Sequence, residues 1–142
     1  GTLNLGGEET LSSASSISTS TWTHIALSFD GSTLALYING YVDSSISTNN
    51  ALSFTPNNGS WLIGAVEDSA GQASGFWDGL IDEVRIWEVA RTPGEIEAAL
   101  CNPLTGGEFN LIAYYPLDSD FNDISPSARH ASASGNASLE SF

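Results

Sequence analysis

The chain has no lysine, no methionine and one cysteine, and its three basic residues stand against 17 acidic ones, a formal charge of −14 over 142 residues. Each shortage removes a class of function. Binding a phosphate backbone needs a lysine and arginine footprint, so nucleic acid is excluded as a partner. The same deficit argues against an anionic membrane surface. No apolar run approaches the ~18 residues that a membrane-spanning helix needs, so membrane insertion is not expected. Cys101 has no second cysteine to pair with and reads as a small apolar residue rather than a nucleophile. No Met is present and Gly1 stands first, so the chain is expected to be an excised piece, a processed form or a fragment, with any export signal outside it. Cations, neutral glycans and proteins remain as partners.

What is present is alternation. Hydrophobic residues make up 41% and charged residues 14%, enough for a buried core in one domain of this length. In residues 21–29, Ile25, Leu27 and Phe29 share one face while His24, Ala26 and Ser28 share the other, which predicts a half-buried strand. Asp30-Gly31 turns the chain into a second strand with Leu34, Leu36 and Ile38 inward. Asn39-Gly40 is a type I′ hairpin signal, and Tyr41 starts the return. Residues 51–54 and 60–64 read as short strands around a Pro56-Asn57-Asn58-Gly59 turn, residues 67–75 as a surface loop, and 79–87 and 109–117 as longer strands. One helix is expected: Thr92 as N-cap, Pro93 at the first helical position and Glu95 closing a capping box, with an end near Cys101 before Pro103. The small-residue tail is expected to add one or two weak strands. Roughly nine short strands, frequent glycine turns and one helix define an all-β class, an antiparallel two-sheet jelly-roll sandwich.

Three segments in order resemble one family. They are Thr21-Trp22-Thr23-His24-Ile25-Ala26-Leu27-Ser28-Phe29-Asp30-Gly31, Leu36-Tyr37-Ile38-Asn39-Gly40, and Phe76-Trp77-Asp78-Gly79-Leu80-Ile81-Asp82-Glu83-Val84-Arg85-Ile86-Trp87 followed by Ala90-Arg91-Thr92 and Glu95-Ile96. With this spacing they resemble the laminin-G-like, concanavalin A-like jelly roll, in the branch close to pentraxins. The resemblance implies a single domain over 1–142 that lacks its first strands, because members carry several strands before the segment at Trp22. Residues 109–142 resemble either the closing strands of such a domain, which is the preferred reading, or the start of a next repeat. Either the native domain is longer at its N-terminus or another chain supplies the strands, since an unpaired edge would otherwise invite self-association.

Two constellations carry possible chemistry. Asp118, Asp120 and Asn122 place oxygen donors at alternate positions, as calcium loops do, and Asp123 follows. The loop is not an EF-hand: Asp123 stands at the glycine position and Arg129 at that of the bidentate glutamate. Asp118 and Asp123 match acidic positions of the family pattern; Asp120 and Asn122 are added on chemistry alone. The alternative is a solvated turn in which Asp and Asn cap their own backbone. Asp82, on a face shared with Leu80, Val84 and Ile86, is expected to be buried and to need a partner, either backbone amides or a metal. Glu83 and Arg85 are expected to pair. Trp77, Trp61 and Tyr41 are candidates for stacking on pyranose rings, against the alternative of packing inside the sandwich.

Catalysis finds little support. A glycosidase needs two carboxyl groups held a few ångströms apart, about 5 Å in retaining enzymes. The related glucanases' Glu-x-Asp-x-x-Glu pattern fails here, because Leu80 stands two residues before Asp82, and Glu83 and Glu88 have opposite strand parity. No zinc spacing, P-loop or dinucleotide fingerprint is present. Asn58-Gly59-Ser60 and Asn136-Ala137-Ser138 fit glycosylation sequons, which matter only in a eukaryotic secretory pathway. The expected function is a non-catalytic, extracellular or cell-surface binding module for glycan or protein, with possible assistance by Ca²⁺. The alternative is a structural repeat of an adhesin or filament.

Overall fold

The computed structural model describes residues 2–4, 10–48 and 61–140. In chain order these form β1 (Thr2–Asn4), β2 (Thr10–Ser12), β3 (Ile25–Phe29), β4 (Thr33–Ile38), β5 (Tyr41–Ser47), β6 (Val66–Glu67), β7 (Ala73–Ser74), β8 (Val84–Trp87), α1 (Pro93–Ala98) and β9 (Leu111–Tyr115). The ladders are all antiparallel: β1 with β2, β3–β4–β5 in that order, β6 with β7, and β8 with β9. This is the mostly-β architecture with one short helix that the periodicity predicts.

The turns do what their residues dictate. Asp30 Oδ1 accepts the amides of Ser32 and Thr33 at 2.9 and 2.8 Å, and Gly31 takes φ +98°. Asn39 and Gly40 both have positive φ, 49° and 85°, as a type I′ hairpin requires. Asn39 Oδ1 also accepts the His24 amide at 3.0 Å, which ties the turn to the approach of β3. The β4–β5 register slips by one residue between Leu36 and Tyr37, so that Leu36 faces Ser44 and Tyr37 faces Val42. Asp43 is the extra residue of this bulge. Its carboxylate accepts from the Ser13 hydroxyl and the Ala14 amide at 2.9 and 2.8 Å, which fastens the loop after β2 to β5.

Leu34 and Tyr37 point to opposite faces of β4 and both are buried, so the central strand is covered on each side. On the Tyr37 face, the Ser28 hydroxyl donates to the Arg91 carbonyl at the entry to α1. On the Leu34 face the cover is uneven: Leu34 is fully enclosed, whereas Leu27 and Ile25 further along β3 are exposed. The expected inward set Ile25–Leu27–Phe29 is therefore exposed at Ile25 and Leu27 and half-buried at its Phe29 end. Among the described residues no strand pairs with the outer edge of β3.

The helix starts as expected. Glu95 N–H donates to Thr92 Oγ1 and Thr92 N–H donates to Glu95 Oε2, a complete capping box, with Pro93 inside the first turn and Ile96 buried. Its last turn holds no basic residue. Arg85 from β8 supplies the charge instead, donating to the carbonyls of Ala99 and Asn102 at 2.8 and 2.9 Å.

Four local expectations change. The strand predicted over 79–87 is confined to Val84–Trp87, because Glu83 adopts φ +55° and breaks the extended run. Residues 67–75, expected to be a loop, are the β6–β7 hairpin and its tip. Residues 61–64 are not strand, while the strand and turn predicted at 51–60 lie outside the described residues. The tail beyond β9 forms no strand among the described residues, since it is poor in large apolar side chains and is held by side-chain bonds to Asp123 instead.

Candidate functional site

Among the described residues, the hairpin of β6 and β7 and the segments flanking it carry the densest run of exposed apolar side chains: Trp61, Leu62, Ile63 and Val66 on one side, Phe76, Trp77, Leu80 and Ile81 on the other. Its tip is fixed by Asp68, whose Oδ1 accepts the amides of Ala70 and Gln72, both at 2.9 Å. Beyond the two-residue ladder the arms stay together through Trp77 N–H donating to Gly64 O at 2.7 Å. Glycines make the aromatic arrangement possible. A Cβ on Gly79 would lie 2.8 Å from Trp77 Nε1, so the indole rests directly against the Gly79 backbone. A Cβ on Gly64 would lie 3.0 Å from Ile81 Cδ1. Trp77 thereby rests on its own arm, three residues beyond β7, while 55% of it stays exposed, and Trp61, on the segment leading into the other arm, is 60% exposed.

The structure places two of the three predicted stacking residues, Trp61 and Trp77, on this one hairpin. Tyr41 is 71% exposed at the start of β5 in the three-stranded sheet, next to Gly40, which abuts Leu100 and Glu97 of the helix segment. Trp87, by contrast, packs under the Arg91 guanidinium at 4.2 Å.

The predicted calcium donors are placed differently from expectation. Asp123 is buried, and both its oxygens serve the backbone: Oδ1 accepts Tyr114 N–H and Ser125 N–H at 2.9 and 2.8 Å, and Oδ2 accepts Arg129 N–H at 2.9 Å. Burial pushes its pKa up, but these amides outweigh it and hold the carboxyl below its ordinary value. Asp120 accepts from the amide and the side chain of its neighbour Asn122. Asp118 is exposed. Asp82 is exposed rather than buried, because the chain is not a regular strand at that point. Its pKa is raised by partial burial and by the charges of Glu83 and Asp118, so two of the five candidates, Asp82 and Asp118, do fall within electrostatic range of each other. Among the described residues no group of three or more His, Cys, Asp or Glu side chains is arranged to hold a metal. Asp123 is thus committed to backbone amides, and a calcium ion, which takes six to eight oxygens, would have to draw on Asp118, Asp120, Asn122 and Asp82.

The expected Glu83–Arg85 pair is present and larger than expected. Arg85 Nη2 bonds Glu83 Oε2, Tyr114 Oη donates to Glu83 Oε1 at 2.6 Å, and the guanidinium lies 5.6 Å from the Tyr114 ring centre. Burial, together with the bond to Glu83, pushes the Tyr114 pKa up to about 12. Glu83 is thus held by two partners. His24 is held below its ordinary pKa by burial and by the Arg85 charge. Sequence reasoning missed the roles of Asp43, Asp123 and Tyr114, each of which acts on a partner distant in the chain.

The model of the concanavalin A-like lectin/glucanases superfamily, laminin-G type, matches residues 2–97. The chain belongs to this family. It is similar to a candidate carbohydrate-binding protein from Bacteroides ovatus, at 26% identity and a TM-score of 0.66, covering 80% of this chain and 33% of that one. It is also similar to residues 221–444 of an S-layer domain-containing protein from Clostridium thermocellum, at 29% identity and a TM-score of 0.50, covering 66% of this chain and 46% of that one. The chain thus spans about a third of the first relative's length and less than half of the second's. Among curated proteins none matches. No helix among the described residues is long and apolar enough to cross a membrane.

Proposed function

We propose that this lectin-family domain is a non-catalytic glycan-binding module of a cell-surface or extracellular protein, and that the Trp61–Trp77 hairpin is its contact surface. One observation carries the reading: two indoles stand exposed on the segments flanking one short hairpin, one of them with its Nε1 edge against the Gly79 backbone. An aromatic face held in this way stacks on the C–H face of a pyranose at little entropic cost, because the ring is already ordered. The Bacteroides relative supports a carbohydrate ligand, and the S-layer relative supports a place at the cell surface.

Isothermal titration against a panel of neutral oligosaccharides tests the reading. Trp77→Ala is expected to weaken binding about tenfold or more, equivalent to ~1.4 kcal/mol, while thermal unfolding moves little because the side chain is mostly open. Unchanged affinity in Trp77→Ala and Trp61→Ala together would remove the hairpin from the mechanism.

The reading carries no calcium. Millimolar Ca²⁺ is expected to leave the unfolding temperature unchanged, and chelator is expected to leave binding unchanged. Occupancy at one hundred times Kd would instead add about 2.7 kcal/mol of stability, which thermal unfolding would detect.

A second reading, a structural repeat that shares strands with its neighbours, draws on the β3 edge, which has no partner strand among the described residues and carries exposed Ile25 and Leu27, and on the S-layer relative. Light scattering over a hundredfold concentration range distinguishes it, since strand sharing predicts mass growth with concentration and a glycan module does not.

A further inference from the structure

Each of the three cations in the sequence makes a bond of its own within the fold, Arg85 and Arg91 half-buried and Arg129 exposed. Arg85 holds Glu83 and the carbonyls of Ala99 and Asn102. Arg91 pairs with Glu95 at 3.0 Å and covers the Trp87 ring. Arg129 donates to the Ile112 carbonyl at 3.1 Å. There is no lysine. The hairpin with the two open indoles has no basic residue anywhere from 61 to 84, yet it carries Glu67, Asp68, Asp78 and Asp82 among its apolar side chains. Recognition of a carboxylate or sulfate draws on charge-assisted bonds from Arg or Lys. None is available here, and an approaching anion meets like charge within the ~10 Å over which dilute salt leaves charges unscreened.

We infer that the hairpin selects uncharged pyranose chains and rejects those bearing uronate or sulfate groups. This rests on the glycan-binding reading and adds its substrate class. An aromatic shelf makes its contacts through C–H faces, which neutral and acidic sugars share. Charge therefore decides between them, through repulsion rather than through an added contact.

The test titrates the whole chain at pH 8 with hexamers of neutral β-glucan, xylan and mannan, and with hexagalacturonate and a sulfated hexasaccharide, at low and at high salt. At least one neutral hexamer is expected to bind with an affinity that changes less than about twofold between the two salts, because no counterions are released. The anionic hexamers are expected to bind at least about tenfold more weakly at low salt, with the gap narrowing as salt screens the carboxylates. Asp78→Lys, a change at an exposed position, is expected to narrow the low-salt gap by about threefold or more. Anionic hexamers binding as tightly as neutral ones, or a gap indifferent to both salt and Asp78→Lys, would overturn this inference and leave the glycan reading standing. Binding of neither class would overturn the glycan reading, and this inference with it.

Discussion

Replacing Asp123 by Ala is expected to destabilise the domain by about 3–5 kcal/mol, a large share of the ~5–15 kcal/mol that holds a domain of this size folded. The carboxylate is 2% exposed and collects three backbone amides, from Tyr114, Ser125 and Arg129. Bonds to a charged acceptor contribute about 1.5–3 kcal/mol each, and their loss leaves buried N–H groups unpaired. The three donors flank a loop, so the same residue that stabilises β9 also fixes the path of the chain after it. Asp123→Asn is expected to fall in between. Its oxygen can still accept from Tyr114 and Ser125, but its NH₂ would face the Arg129 N–H, donor against donor.

The direction with pH follows from the depressed pKa of this group. Folded Asp123 holds its proton more weakly than the ordinary value of 3.8, so its contribution is complete above that value and is lost as pH falls through the folded value. Urea unfolding at pH 7 should show the full gap between the wild type and Asp123→Asn, and a series below pH 4 should show the gap closing. A gap that stays constant on acidification would mean that the carboxylate's charge is not what holds the loop.

The same residue shows where sequence reading stops. Oxygen donors at alternate positions were legible in Asp118, Asp120 and Asn122, and a carboxylate that gathers backbone amides looks, in sequence, the same as one that gathers a metal. The difference lies in Tyr114 and Arg129, nine residues before and six after Asp123. Local chemistry was readable wherever its partner was local: the Asp30-Gly31 and Asn39-Gly40 turns and the Thr92–Glu95 capping box all form as their residues require. Long-range partners were not readable. Nothing near Asp43 announces that it will bulge out of β5 to catch Ser13 and Ala14. Period-two alternation gave β3 its strand but not its cover, because Ile25 and Leu27 are apolar whether or not anything packs on them. At Asp82 the alternation itself failed: the positive φ of Glu83 ends the strand, and a residue assigned to the core emerges at the surface. Trp61 and Trp77 were identifiable as residue types, and what the structure added is that one hairpin holds both.

Arg85→Ala is expected to cost about 3–4 kcal/mol, and its effects should reach three elements at once. The guanidinium binds Glu83, closes the end of the helix segment through Ala99 and Asn102, and lies over Tyr114. Removing it leaves Glu83, half-buried, with only the Tyr114 hydroxyl, and losing one partner of such a pair is worse than losing both. Arg85→Lys is expected to recover less than half of the loss, since an ammonium cannot fork between a carboxylate and two carbonyls while stacking on a ring. Two titrations separate this network from mere packing. Tyr114 is pushed up to about 12 from its ordinary 10.0 by burial and by Glu83, so its contribution to stability is complete below pH 10 and is lost as pH rises from there towards 12. Tyr114→Phe should flatten that alkaline slope. His24, which precedes β3 in the three-stranded sheet, is held below its ordinary 6.5 by burial and then by Arg85. In Arg85→Met, which keeps much of the bulk and removes the charge, the His24 imidazole followed by NMR should titrate at higher pH, with burial alone still holding it below 6.5. An unmoved His24 in a folded Arg85→Met would show that the charge of this cation does not reach the three-stranded sheet, leaving the Ser28–Arg91 bond and packing to join the helix to it.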